Sequence, residues 1–85
     1  MIIPDVNLLV HAYNGDSPVH PSARLWWEET LSSPRPVGLP WATILGYIRI
    51  TTHPRIAANP LPSDVACRHV ESWLAQPQVA LIHPG

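Results

Sequence analysis

The chain has 85 residues, 46% of them hydrophobic and 13% charged, values that belong to folded globular proteins and exclude a disordered chain. Its formal net charge of −1 contains no basic tract that would advertise a nucleic acid by charge alone. A single cysteine, Cys67, excludes an internal disulfide, and no apolar run approaches the ~20 residues that span a bilayer.

Asp5 interrupts the apolar start and no basic segment precedes it, so the opening does not read as a secretory signal. A soluble, cytoplasmic protein with no membrane contact is expected. A chain this short buries only about 60% of its unfolded surface, so marginal stability is expected as well.

Met1–Pro4 reads as a short buried strand with Asp5 at its carboxyl end. Val6, Leu9, Val10 and Tyr13 then follow the i, i+3, i+4, i+7 spacing of one helix face. Asn14-Gly15 stops that helix, and Ser17-Pro18 reads as the start of the next. The second helix runs from about Val19 to Leu31, with Ala23, Trp26, Trp27 and Leu31 on its apolar side. After a proline-rich loop, Val37–Leu39 is a second strand. Trp41, Ile44, Leu45 and Ile48 mark a third helix, which ends before Pro54.

Ser63 is the expected cap of a fourth helix, with Asp64 in its first turn and Ala66, Val70, Trp73 and Leu74 on its apolar stripe. Cys67 lies within this pattern, where burial as a small apolar residue is favoured over a nucleophilic role. Val79–Ile82 is the third strand. The alternation predicts an α/β layer with a three-stranded parallel sheet and four helices. Ending on a strand would leave one side of that layer uncovered, the mark of an incomplete domain.

Asp5 is the leading candidate for chemistry. Ligands in open α/β sheets gather at the carboxyl ends of strands, and a carboxylate there suits a hard cation such as Mg²⁺. The plainer role is a helix cap for the segment beginning at Val6, and the two are compatible because a carboxylate has two oxygens. Asn7 could orient Asp5 or a water.

Asp16, Glu28, Glu29 and Glu71 read as solvated acids. Arg49, beside the third helix's stripe, suits either an RNA phosphate or a surface ion pair. The five histidines show neither i, i+4 pairing nor a cysteine at zinc spacing. Core packing or partner contact is favoured over base stacking for the four tryptophans.

Beside this reading stands a resemblance. Met1-Ile2-Ile3-Pro4-Asp5-Val6-Asn7-Leu8-Leu9-Val10 is similar to the first strand and helix of PIN domains. The likeness continues through Ala12-Tyr13-Asn14, Asp16-Ser17-Pro18-Val19-His20 and Val37-Gly38-Leu39-Pro40-Trp41. It resumes at Thr51-Thr52-His53-Pro54-Arg55, Asn59-Pro60-Leu61, Glu71-Ser72-Trp73-Leu74 and Leu81-Ile82-His83-Pro84-Gly85. In order and spacing these segments resemble the amino-terminal portion of VapC toxins of type II toxin–antitoxin systems.

The resemblance implies a Mg²⁺- or Mn²⁺-dependent endoribonuclease, with Asp5 as catalytic and metal-binding carboxylate and Asn7 at the cofactor. It also implies an RNA substrate and a VapB-type antitoxin, and it suggests a homodimer. Two departures qualify it: Gly46 stands where a glutamate often falls, and the later acids of the family lie beyond residue 85. Residues 1–85 are therefore expected to be a truncated PIN-like domain with impaired activity. The alternative is a catalytically inactive toxin remnant or an antitoxin-binding module.

Overall fold

The computed structural model describes residues 1–83 of the chain; the Pro84-Gly85 end of the last matched segment lies outside them. Helix α1 spans Val6–Tyr13, α2 His20–Ser32, strand β1 Val37–Pro40, α3 Trp41–Thr52, α4 Ser63–Leu74 and strand β2 Val79–Ile82.

The sheet has two parallel strands rather than three, with Val37 opposite Val79 and Pro40 opposite Ile82. The expected first strand is reduced to one parallel bridge, Ile2 to Val37, on the other side of β1. The Ile2 amide donates to Pro36 O at 2.9 Å, and the Gly38 amide donates to Ile2 O at 2.8 Å. The ladder goes no further for a local reason. Pro4 has no amide to donate, and Asp5 is already committed to starting α1.

Asp5 starts that helix by accepting the Asn7 amide on Oδ1 at 3.1 Å from an extended backbone, φ −72° and ψ 140°. Two other expected helix starts differ. Helix α2 begins at His20 with Pro21 in its first turn, while Ser17 Oγ is taken up by His11 Nδ1 at 2.8 Å and the Val19 amide at 3.3 Å. Ser63 is the first residue of α4, and Pro62 precedes it without any side-chain cap.

Leu9, Val37, Leu39, Tyr47 and Trp73 form the centre of the core and are wholly buried. Helix α3 contributes Ile44, Tyr47 and Thr51 to the interior, so its buried face is rotated from the expected one, leaving Trp41 and Leu45 exposed. Gly38 is where β1 is closest to its neighbours. A Cβ there would lie 2.5 Å from Ile82 Cδ1 and 2.6 Å from Met1 Sδ.

Cys67 is exposed, against the expectation of burial. It follows Ala66 by one residue, about 100° around the helix from the Ala66, Val70 and Trp73 stripe. We therefore expect a thiol reagent to titrate Cys67 fully in native buffer. Reaction that appears only in denaturant would place it inside.

Packed around Trp73 is an aromatic network that joins α1, α3 and α4. The Trp73 indole N–H donates to Tyr13 Oη at 2.7 Å, Tyr13 stacks on His69 with centroids 4.3 Å apart, and Tyr47 Oη lies 2.7 Å from His69 Nδ1. Burial, and then the Arg68 charge, hold the His69 pKa below the usual histidine value, while burial and then Tyr13 raise that of Tyr47. Tyr47 therefore donates and a neutral His69 accepts.

In the unfolded chain His69 takes up a proton near pH 6.5, which the folded state resists until lower pH. Its contribution is intact above that value and is lost as pH falls below it. Melting followed by circular dichroism should show a lower Tm at pH 5.5 than at pH 7.5, with a smaller difference in His69→Gln. An equal pH dependence in both proteins would contradict the assignment.

Candidate functional site

The strands run parallel, so their carboxyl ends open on one edge, and the register says which residues meet there. Ile2 is level with Val37 and Val37 with Val79. Three residues further along each segment lie Asp5, Pro40 and Ile82, with Trp41 and His83 one step beyond. Trp41 and His83 meet just past the paired ladder, whereas Asp5 lies beyond the single Ile2 bridge, where pairing has already stopped.

Asp5 and Asn7 are both exposed. Capping engages one carboxylate oxygen of Asp5. The link to Asn7 runs through that residue's main chain, which any non-proline residue would supply. The Asn7 side chain makes no hydrogen bond among the described residues.

Gly46, on α3, faces the beginning of α1. A Cβ there would sit 3.3 Å from Val6 Cγ2, so the missing side chain lets the two helices approach beside Asp5. Trp41 Nε1–H donates to His83 Nδ1 at 2.9 Å, with ring centroids 6.0 Å apart and planes inclined at 58°.

The other acids are used elsewhere or exposed. Asp16 accepts from Asn59 Nδ2 at 2.8 Å. Glu28 pairs with Arg24 at 2.8 Å and Asp64 with Arg68 at 3.3 Å, both exposed i, i+4 pairs worth little to stability. Glu29 and Glu71 are exposed, as expected for solvated positions, and Arg49 has no ion-pair partner among the described residues. No group of three or more His, Cys, Asp or Glu side chains that could hold a metal ion occurs among the described residues. Asp5 fits one ligand position. One carboxylate holds Mg²⁺ poorly against its hydration shell, so the described residues do not complete a site for it.

Two features escaped the sequence reading. The Tyr47–His69 pair had a faint signal, since His69 lies three residues after Ala66 on the same helical face. The Trp41–His83 pair had none, because 42 residues separate its members. A hollow of about 350 Å³ between α1 and α2 is lined by Tyr13, His20, Arg24, Trp27 and Glu28. Nearby, the buried Trp27 Nε1 has no hydrogen-bond partner among the described residues.

No family model matches the chain. It is 41% identical over all 85 residues to ribonuclease VapC33 of Mycobacterium tuberculosis, covering 59% of that protein. Ribonuclease VapC48 of the same organism is 40% identical over 75 residues, 88% of this chain and 52% of the relative. Ribonuclease VapC37, also from that organism, is 34% identical over 84 residues, 99% of this chain and 58% of the relative. The chain thus spans between half and three fifths of the length of these curated relatives.

Proposed function

We propose, from the 41% identity to ribonuclease VapC33 over all 85 residues, that the chain is part of a metal-dependent endoribonuclease of the VapC type, the toxin of a toxin–antitoxin pair. The observation that carries the reading to a residue is Asp5. It stands at the head of α1, three residues after the bridge that ties Ile2 to β1, exposed, with one oxygen used as a cap.

In this reading Asp5 is a ligand to Mg²⁺ or Mn²⁺, Asn7 lies beside it, and the other acids come from outside residues 1–85. The bound cation would polarise a water and offset charge developing on an RNA phosphodiester. This chain's part is to hold the Asp5 carboxylate in place. The cap fixes its main chain at the head of α1, and Gly46 lets α3 close against that end. A VapB-type antitoxin is the proposed partner, and a homodimer would be one source of further acids.

A second reading follows from the lack of a complete ligand set among the described residues: the chain alone is an inactive remnant or an antitoxin-binding module. Cleavage of RNA in Mn²⁺ separates the two, using the chain alone and mixed with a polypeptide matching the relatives' remaining length. We expect cleavage only in the mixture and none with EDTA. A folded chain inert in both preparations would favour the second reading, and cleavage unaffected by EDTA would sink the metal.

A further inference from the structure

Helix α3 leaves the carboxyl edge of the sheet with an exposed ridge that the fold does not use. Trp41, Leu45 and Arg49 follow one another at i, i+4 and i+8, the spacing of a continuous ridge on a helix surface. Trp41 is 39% exposed and Leu45 58%, and Arg49 is exposed as well. The ridge is about 12 Å long, from eight residues at 1.5 Å each. No Asp or Glu occurs anywhere in α3, and Arg49 has no ion-pair partner among the described residues.

The head of the ridge is fixed rather than loose. The Trp41 indole donates to His83 Nδ1, so the proton of the neutral imidazole sits on Nε2, which makes the exposed His83 ring a hydrogen-bond donor. An indole with a donor at its side and, about two turns further along the same acid-free helix, an unpaired cation share one exposed ridge. Stacking and phosphate pairing by such groups are how single strands are held, since every base has a π-face and every phosphate a charge.

We infer that the Trp41–Leu45–Arg49 ridge, with His83 at its head, binds a single-stranded segment of RNA. The inference rests on the ribonuclease reading for its substrate class and adds which residues hold that substrate. A base stacks on Trp41, His83 Nε2–H donates to the adjoining sugar-phosphate, and Arg49 pairs with a phosphate further along.

The test is fluorescence anisotropy of a labelled, unstructured oligouridine titrated with the 85-residue chain in EDTA, so that binding is read without cleavage. Circular dichroism checks each variant for folding. Trp41→Ala should weaken binding at least fivefold and His83→Ala severalfold. Arg49→Gln should lower the slope of log affinity against log salt by about 0.7, the value for one phosphate on a single strand. Arg68→Gln, on α4, should leave affinity and slope unchanged.

Wild-type affinity in folded Trp41→Ala would overturn the inference, as would failure of the parent chain to bind. Overturn would also come from a concentration-dependent dimer that Trp41→Ala abolishes while RNA binding persists, since the ridge would then join two copies of the chain. Binding that depends on Trp41 and Arg49, in a protein that cleaves nothing even with its complement, would sustain this inference while sinking the hydrolytic reading. Cleavage with binding indifferent to the ridge would do the reverse.

Discussion

Trp73→Ala is expected to abolish cooperative folding. The Trp73 side chain is wholly buried, its ring centroid lies 4.7 Å from that of Tyr47 and 5.6 Å from that of Trp27, and its N–H donates to Tyr13 Oη. It therefore ties α4 to each of the other three helices. Truncating a buried tryptophan to alanine costs about 3–5 kcal/mol. At roughly 0.05–0.15 kcal/mol per residue, the whole stability of a chain this size is about 4–13 kcal/mol, and small chains fall toward the low end. The loss is comparable to the total.

Urea and thermal melts followed by circular dichroism would read this. Trp73→Ala should show no cooperative transition or a Tm lowered by at least about 12 °C, since 1 kcal/mol moves a domain of this size by roughly 4–8 °C. Trp73→Phe keeps an aromatic ring and loses the bond to Tyr13, which should cost about 1–3 kcal/mol. Leu25→Ala, at an exposed position, should stay within about 0.5 kcal/mol of the parent. If Trp73→Ala melted like Leu25→Ala, the aromatic network would not be the centre of the core.

That centre was partly legible from periodicity alone. The stripe Ala66, Val70, Trp73 is buried as its spacing requires, and so are Leu9 of α1 and Ala23 and Trp27 of α2. Helix α3 was harder because it is apolar on more than one side. Trp41, Leu45 and Ile48 fit a 3.6-residue period as well as Ile44, Tyr47 and Thr51 do, and only packing against α1, α4 and β1 decides which face goes in.

The first strand failed for a different reason. An apolar run says that a segment is buried, but pairing needs consecutive free amides, and Pro4 removes one just where α1 must begin. Of Asp5's expected places, the helix start was visible because capping is a local property, and the strand end was not, because the strand stops at Ile2. The contacts of Trp41 with His83 and of Tyr47 with His69 depend on the strand register and on how two helices cross, which no local pattern encodes.

The Asp5 position separates capping from chemistry, because asparagine caps a helix as well as aspartate does while carrying no charge. In a preparation that cleaves RNA with Mn²⁺, Asp5→Asn should keep the parent's Tm to within a few degrees and lose cleavage by about a hundredfold or more. Even groups that only support a metal ligand change affinity or activity by about 10–100-fold when removed. Asp5→Ala should lose the same activity and also about 0.5–2 kcal/mol of stability, since the Asn7 amide then has no side-chain acceptor. The paired result matters more than either variant alone. Equal cleavage in the parent and Asp5→Asn, with only Asp5→Ala impaired, would show that the carboxylate serves α1 and not the cation. Activity lost in both variants while the asparagine protein melts like the parent would assign the charge itself to the reaction.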